Sequence, residues 1–410
     1  MKKPYFALVP SGYAFYKLFS ILPTNGDADF DFYRSTGSSR VAENGLIKSI
    51  SSANPTLDWL NSSCPRLKIE ESRTNLQKYS EDFTQPQWLT GNLSVIGNDT
   101  IDPKGVENAD KIIPNTNNTY HYLESITSGS GYAIDTTYSV FVKKGGFSQV
   151  ELLLAYSSSP GSPIAQVKFD LDTLETFGTT IGTAFEYQDY GNGWYRLQIN
   201  ALVSLSASAA ILRVAVLDNQ SQTFQGNDVD GLFVWGAQLE SYAVKASSYI
   251  TTYSSISSRA GDQISPITLM NNDAKGTVFL DLKAENLNNR GTSTIMLSDN
   301  SYNRIVFSFQ SDSRLSVQVG DAPSSPFFSY NYIHNQQRFK IAVTWERYGN
   351  LEVYINGVNV AVANAGSLNN LNTFQFSSYS SSNPFQGDVY QSSVYNEYLT
   401  NSELIELTKL

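Results

Sequence analysis

The pattern of apolar and polar positions has a period of two over most of the chain. Val278, Leu280 and Leu282 fall on one side of a strand, as do Ile305, Phe307 and Phe309. Ile341, Val343 and Trp345 alternate with Lys340, Ala342, Thr344 and Glu346, and Leu351, Val353 and Ile355 repeat the pattern. This alternation predicts strands with one face toward a core. Asn356-Gly357 between two such runs predicts a tight hairpin, because both turn residues must take positive φ. Earlier in the chain, Tyr138 to Val142, Lys143 to Gly146 and Val150 to Leu154 read as strand, turn, strand. Val167, Phe169 and Leu171 alternate, Tyr190 to Gly193 forms a turn before Trp194 to Ile199, and Ala210 to Leu217 and Gly231 to Leu239 are further strands. A helical period occurs once, at the end. Thr400 to Glu403 fits a capping box, and Leu404, Leu407 and Leu410 follow at helical spacing.

The fold class expected is all-β, with two antiparallel β-sandwich (jelly-roll) domains preceded by an irregular N-terminal segment. Turn residues interrupt residues 1–75, where only short pieces such as Phe6 to Val9, Leu18 to Leu22, Asp29 to Tyr33 and Val41 to Ile50 read as strands. That segment is expected to be extended, with no large core of its own, and to order on assembly. Residues 76–262 form the first sandwich, with the Ser/Thr-rich stretch 246–262 as a C-terminal linker or, equally, a surface strand tail of that domain. Residues 263–410 form the second.

The composition fits this picture. Charged residues are 16% of 410, so Ser, Asn, Thr, Gln and Tyr must supply the polar surface, which suits strands better than helices. A net charge of −10 repels phosphate backbones and argues against nucleic acid as a partner. Lys2 and Lys3 imitate the start of a signal peptide, but Pro4 and Pro10 bracket too short an apolar run. No run has the length of a membrane span, so synthesis in the cytosol is expected.

Candidate chemistry is sparse. Sugar hydrolysis needs two carboxylates flanking the bond. Glu70 and Glu71 are adjacent and point to opposite faces of a strand, and Asp281 and Glu285 share a face with Lys283 between them, as on a solvated face. His121 and His334 lack partners at metal spacing and are expected on the surface or in loops. Cys64 is the one cysteine and is expected to be a small buried hydrophobe. No cofactor is implied. Calcium is the ion such loops suit best, at Asn98-Asp99, Asp218-Asn219, Asn227 to Asp230 or Asp299-Asn300, although each also reads as an ordinary Asx turn. Of Trp88, Trp194, Trp235 and Trp345, three are expected in cores. Ser325 to Tyr332 and Tyr379 read as aromatic loops suited to recognition or to packing against another subunit. No ligand-binding residue is fixed by the sequence.

Phe32 to Val41 followed by Asn44 to Ile47, then Ser72 to Leu76, Tyr79 to Phe83 and Trp88, and later Val234 to Glu240, Tyr249 to Thr251 and Ser258 to Ala260, resemble segments of tailed-phage virion proteins. In those proteins such segments surround a carbohydrate-binding-module-like jelly roll. Residues 275–408 resemble a laminin-G-like or concanavalin A-like domain through Ile341 to Trp345, Val353 to Gly357, Gly387 to Tyr390 and Tyr398 to Thr400. The resemblance implies a virion protein of the head- or tail-fibre type, made in the host cytoplasm. Residues 1–75 would anchor it to capsid or tail proteins, the chain would form a homo-oligomer (dimer or trimer), and the sandwiches would adhere to host-surface or environmental glycans. A capsid decoration or adaptor protein without a glycan ligand, and a glycan depolymerase, are the alternatives.

Overall fold

The computed structural model describes residues 2–127, 133–157, 161–204, 209–269, 274–285, 292–299, 303–320, 328–378 and 383–410. The chain divides into two compact units that are discontinuous in sequence. One comprises residues 1–37, 50–71 and 260–410, and the other residues 38–49 and 72–259.

In the first unit, one sheet runs in the order Val358–Asn364, Asn350–Ile355, Phe339–Glu346, Lys275–Ala284, Gly387–Tyr395, Arg66–Ile69, Leu57–Asp58. Strand Phe6–Leu8 also pairs with Gly387–Tyr395, with Phe6 opposite Val394. The facing sheet runs Ile267–Thr268, Thr373–Gln375, Thr292–Ser298, Arg304–Gln310, Arg314–Gly320, Phe328–Ile333. The alternating residues of both sheets meet in one core, Val278, Leu280, Ile341, Val343 and Trp345 from one side and Ile305, Phe307, Leu315 and Val317 from the other. The Asn356-Gly357 hairpin forms as expected, with φ of 49° and 82°. Helix Asn401–Thr408 starts at the Thr400 capping box. It packs on the outer side of the first sheet against Phe279, Ala342 and Tyr354 through Leu404 and Leu407. Leu410 lies beyond the helix and is exposed.

The second unit is also a sandwich. One sheet runs Trp88–Gly91, Asn118–Thr127, Ala210–Leu217, Gln149–Tyr156, Pro163–Asp170, Glu175–Ile181, with Thr223–Gln225 also paired to Asn118–Thr127. The other runs Leu93–Ile101, Glu107–Pro114, Gly231–Ser241, Ala133–Gly145, Tyr195–Ser204, Ala184–Asp189. Val150, Leu152, Leu212 and Val214 face Tyr138, Val140, Leu197 and Val234 across its core.

All-β sandwich architecture is as expected, but three local expectations differ. Residues 1–37 and 50–71 are not an extended segment. Phe6, Leu8, Leu18, Phe30, Leu57, Leu67 and Ile69 belong to the core of the first unit. Their strands are too short to hold together alone and gain order by completing a sheet whose other strands lie hundreds of residues away. Second, the strands at Val140 and Leu152 are joined by a turn, as expected, but do not pair with each other. The chain turns at Gly146, φ 120°, and passes from one sheet to the other. Third, of the two readings of residues 246–262, the strand tail holds for most of the stretch and the free linker does not. Residues 243–252 lie as a strap on a sheet of the second unit, and Ser257–Arg259 pairs with Arg73–Asn75.

Candidate functional site

A sandwich has two outer faces, and in the second unit they differ. The sheet containing Ala133–Gly145 and Tyr195–Ser204 turns Thr137, Phe141, Arg196, Gln198 and Asn200 outward, and the strap seals them. Asn200 donates to the Ala243 carbonyl at 2.9 Å, Arg196 to the Ser247 carbonyl at 2.7 Å, and Gln198 accepts from the Ala246 amide at 2.9 Å. Tyr249 stacks on Trp235 with ring centroids 4.6 Å apart and meets Phe141 edge-on. Lys104 lies over both the Trp235 and Tyr249 rings and is paired with Glu81 at 2.5 Å.

The segments that carried the family resemblance therefore act as internal fastenings. Asn75 is buried and uses its whole amide: it donates to Ala237 and Ile250 carbonyls at 3.1 and 2.9 Å and accepts from Gln77 and Leu239 amides at 3.0 Å each. Arg34, in the first unit, donates to Thr36, Thr56, Asp262, Ser51 and Asn54. These side chains are spent on backbone polar groups that burial would otherwise leave unsatisfied.

The other sheet of the second unit presents a different outer face. Alternation sends His121, Leu123 and Ser125 inward and Tyr120, Tyr122 and Glu124 outward. Arg213 stands opposite Glu124, and Ala215 stands opposite both Tyr122 and Glu151. Arg213 donates to Glu124 through Nε at 3.0 Å and Nη2 at 2.5 Å, with its guanidinium carbon 4.2 Å from the Tyr122 ring centroid and 5.5 Å from that of Tyr120. Burial works against this cation, but hydrogen bonding to Glu124 and the charge beside it raise its pKa above the usual value. Glu151 is fully buried and accepts from Tyr120 Oη at 2.5 Å, from the Gln166 amide, and from Gln222 Nε2 at 2.9 Å on each oxygen. Burial, and then the Glu151 charge, push the Tyr120 phenol up, so it stays a protonated donor. The result is two half-buried tyrosines and a neutralised arginine side by side on the outer side of a sheet, above a buried carboxylate whose oxygens are already taken, an aromatic and cationic patch of the kind that can lie against an apolar ring face. Sequence reasoning missed it because Tyr120 and Tyr122, Arg213 and Glu151 come from three strands far apart in sequence.

The residues singled out from the sequence lie elsewhere. His121 and His334 are buried rather than on the surface. Both His121 ring nitrogens face backbone carbonyls, of Asn92 at 2.6 Å and Phe224 at 3.0 Å. His334 Nδ1 accepts from the Gln336 amide at 3.1 Å, and burial pushes its pKa down to about 4 despite Asp312 nearby. Cys64 is exposed, not buried, because it lies in a turn rather than a strand. All four named tryptophans are buried, not three. Asp281 is held by Arg338 through two bonds of 2.8 Å, and Glu70 is buried near Lys68.

The Asx loops are occupied by their own donors. Asn98 donates its amide to Asp110, Asn219 bonds Asp218, Asn227 bonds Asp230, and Asn303 bonds Asp299. Asn300 lies outside the described residues. Among those described, no group of three or more His, Cys, Asp or Glu is placed to hold a metal. Asp110 also accepts from the Phe83 amide at 2.7 Å. Burial raises its pKa to about 6, against the pull of those two N–H donors. Phe328–Ile333 is a strand rather than part of an aromatic loop; residues 325–327 and Tyr379 lie outside the described residues.

Residues 257–405, just over a third of the chain, match the family described as Concanavalin A-like lectin/glucanases superfamily. No curated protein matches the chain. Among solved structures, the Ruminococcus gnavus IT-sialidase CBM40 bound to alpha2,3 sialyllactose is similar at 14% identity over 33% of this chain and 84% of that one, with a TM-score of 0.27. Mouse laminin alpha1 chain, domains LG4-5, is similar at 9% identity over 70% of this chain and 89% of that one, with a TM-score of 0.26. At these values neither structure assigns a function here. No described helix is long and apolar enough to cross a membrane.

Proposed function

We propose that this chain is a non-catalytic glycan-binding structural protein, a fibre or attachment component of a tailed-phage particle. The observation that carries the binding reading is the pair of half-buried tyrosines, Tyr120 and Tyr122, beside Arg213 on the outer side of one sheet, above the buried Glu151, while a strap seals the outer side of the other sheet. The lectin-superfamily match over residues 257–405 supports the same class of function for the C-terminal part. The virion role rests on the segment resemblance at residues 32–47, 72–88 and 234–260. The commitment of the candidate carboxylate Asp281 to Arg338 supports the non-catalytic reading.

Contacts with capsid or tail proteins through residues 1–75 belong to the same reading, and Phe15, Tyr16, Phe19 and Ile21 offer exposed side chains for them. Assembly as a dimer or trimer, with many copies per particle, turns weak glycan contacts into avidity. The test is binding of the full chain, displayed multivalently, to a glycan array, together with immunogold imaging of particles. Binding without release of reducing ends, and label on the virion, are the expected results. Reducing-end release refutes the non-catalytic reading, absence of label refutes the virion role, and a blank array favours a decoration protein without a glycan ligand.

A further inference from the structure

Three pieces of chain in the first unit run side by side and then part. Phe6–Leu8 pairs with Gly387–Tyr395 on one side, and the Tyr5 amide adds a bond to the Val394 carbonyl at 3.0 Å. On the other side Ala7 bridges to Leu22. The Ala7 amide donates to the Leu22 carbonyl at 3.2 Å, and the Ala7 carbonyl accepts from the Ile21 and Leu22 amides at 2.9 and 3.2 Å. The residues next in line are Pro4 and Pro23, and neither has an N–H to carry the pairing further. Where the pairing stops, residues 3–5, 22–24 and 396–397 enclose an open cleft of about 520 Å³, a size that suits a small ligand.

Pro4, Tyr5 and Pro23 give the cleft a half-buried apolar lining, while Lys3 and Thr24 line it as exposed residues. The charged and polar groups differ in how far the fold has used them. Glu397 is shared between Lys2 and Lys275, at 3.4 Å each, and these two cations hold its carboxyl below the usual range. Lys3 and the Thr24 hydroxyl have no partner among the described residues. Asn396 has none for its side-chain amide either, and its Oδ1 is turned away from solvent without a donor. A half-turn of that amide exchanges its donor and acceptor ends at the same shape, so it can offer either to the cleft. The cleft thus combines an apolar floor, an unpaired cation and two uncommitted polar side chains. An uncharged ligand would leave the Lys3 ammonium unused, and a bare inorganic anion would leave the apolar lining unused.

We propose that this cleft binds a sugar carboxylate, a uronic-acid unit either free or within a polysaccharide. Lys3 takes the carboxylate by a charge-assisted hydrogen bond. Thr24 and Asn396 exchange hydrogen bonds with ring hydroxyls, and the C–H face of the ring lies against Tyr5 and the two prolines. The site belongs to the first unit and does not draw on the Tyr120 and Tyr122 patch of the second.

The experiment is isothermal titration of the full chain with galacturonic acid, glucuronic acid, an oligogalacturonide and, as the neutral comparator, galactose. It compares the unmodified protein with Lys3→Ala, Thr24→Trp and Tyr122→Ala. Lys3 and Thr24 are exposed, so their variants should keep the fold, as circular dichroism checks. The expected result is binding of at least one of the acidic probes and not of galactose. That binding should weaken about tenfold or more in Lys3→Ala, disappear in Thr24→Trp, where the indole fills the cleft, and persist in Tyr122→Ala. Equal affinity for a free acid and the oligogalacturonide supports a free sugar acid as the ligand, and tighter binding of the oligomer supports a polysaccharide. Equal binding of galactose overturns the ligand class. Acid binding that survives both Lys3→Ala and Thr24→Trp, or that is lost only in Tyr122→Ala, overturns the site. Binding of no acidic probe overturns the proposal while leaving the reading of the Tyr122 patch to its own test.

Discussion

Arg34 and Asp262 form a fully buried ion pair at 2.7 Å, although 228 residues separate them in the sequence. Asp262 spends its second oxygen on the Glu70 amide at 2.9 Å, and its own amide donates to the Glu70 carbonyl at 2.8 Å. One carboxylate thus joins residues from all three sequence pieces of the first unit. Removing either partner strands the other charge in the interior, which costs on the order of 3–5 kcal/mol. Arg34→Ala and Asp262→Ala should each lower the denaturation midpoint of this unit by that equivalent, read by urea titration. Loss of less than about 1 kcal/mol would show that the pair is not a structural fastening.

Asn75 makes the corresponding test in the second unit. Its amide satisfies two carbonyls and two N–H groups that are otherwise buried. Asn75→Ala should destabilise by roughly 2–4 kcal/mol, the sum expected for several orphaned groups. Asn75→Asp should be no better near neutral pH, since a carboxylate would face the Ala237 and Ile250 carbonyls. Thermal melts of the two variants, compared at one pH, check this.

His334 and Asp110, one in each unit, should contribute to acid stability in opposite directions. His334 has a folded pKa of about 4, below the ordinary 6.5, so the unfolded chain binds the extra proton between those values. Its contribution is complete above pH 6.5 and is lost as the pH falls toward 4, by about 3 kcal/mol. Asp110 has a folded pKa of about 6, above the ordinary 3.8, so the folded state binds the extra proton. Its contribution to the stability of the second unit rises as the pH falls from 6 toward 4, by about 3 kcal/mol. Subtracting the pH profile of His334→Gln, and separately of Asp110→Asn, from that of the unmodified protein should give slopes of opposite sign. Slopes of one sign would contradict the assigned burial.

Residues 263–410 alone should not fold as a sandwich. The fragment lacks Phe6–Leu8, Leu57–Asp58 and Arg66–Ile69, which pair directly or in sequence with Gly387–Tyr395, and it loses Phe6, Leu8, Leu67 and Ile69 from the core. Expressed by itself it should be insoluble or should lack a cooperative melt. A soluble fragment with a sharp transition would show that the N-terminal strands are dispensable.

The strands with strict alternation were legible because their partners share the same simple rule: Val278, Ile341 and Val353 all face one core. The N-terminal strands were not, because two to four residues carry almost no periodicity and the pairing of Phe6 with Val394 has no local signal. The candidate face was hidden for another reason. Tyr120, Tyr122, Arg213 and Glu151 occupy the polar positions of ordinary strands, and such positions look alike whether a strap covers them or not. The strap itself read as a Ser/Thr-rich linker, because its hydrogen bonds use backbone groups that any residue has.

The central claim is that the patch of Tyr120, Tyr122 and Arg213 on the second unit is the glycan-binding surface. The most direct measurement is a binding titration of the full chain and its Tyr122→Ala variant against an oligosaccharide selected on the array. Tyr122 is half-buried and lies outside the core, so the variant should melt within a few degrees of the unmodified protein. The account predicts at least a roughly tenfold loss of affinity with the fold intact. Unchanged affinity in a folded Tyr122→Ala protein would place the binding surface elsewhere and contradict the claim.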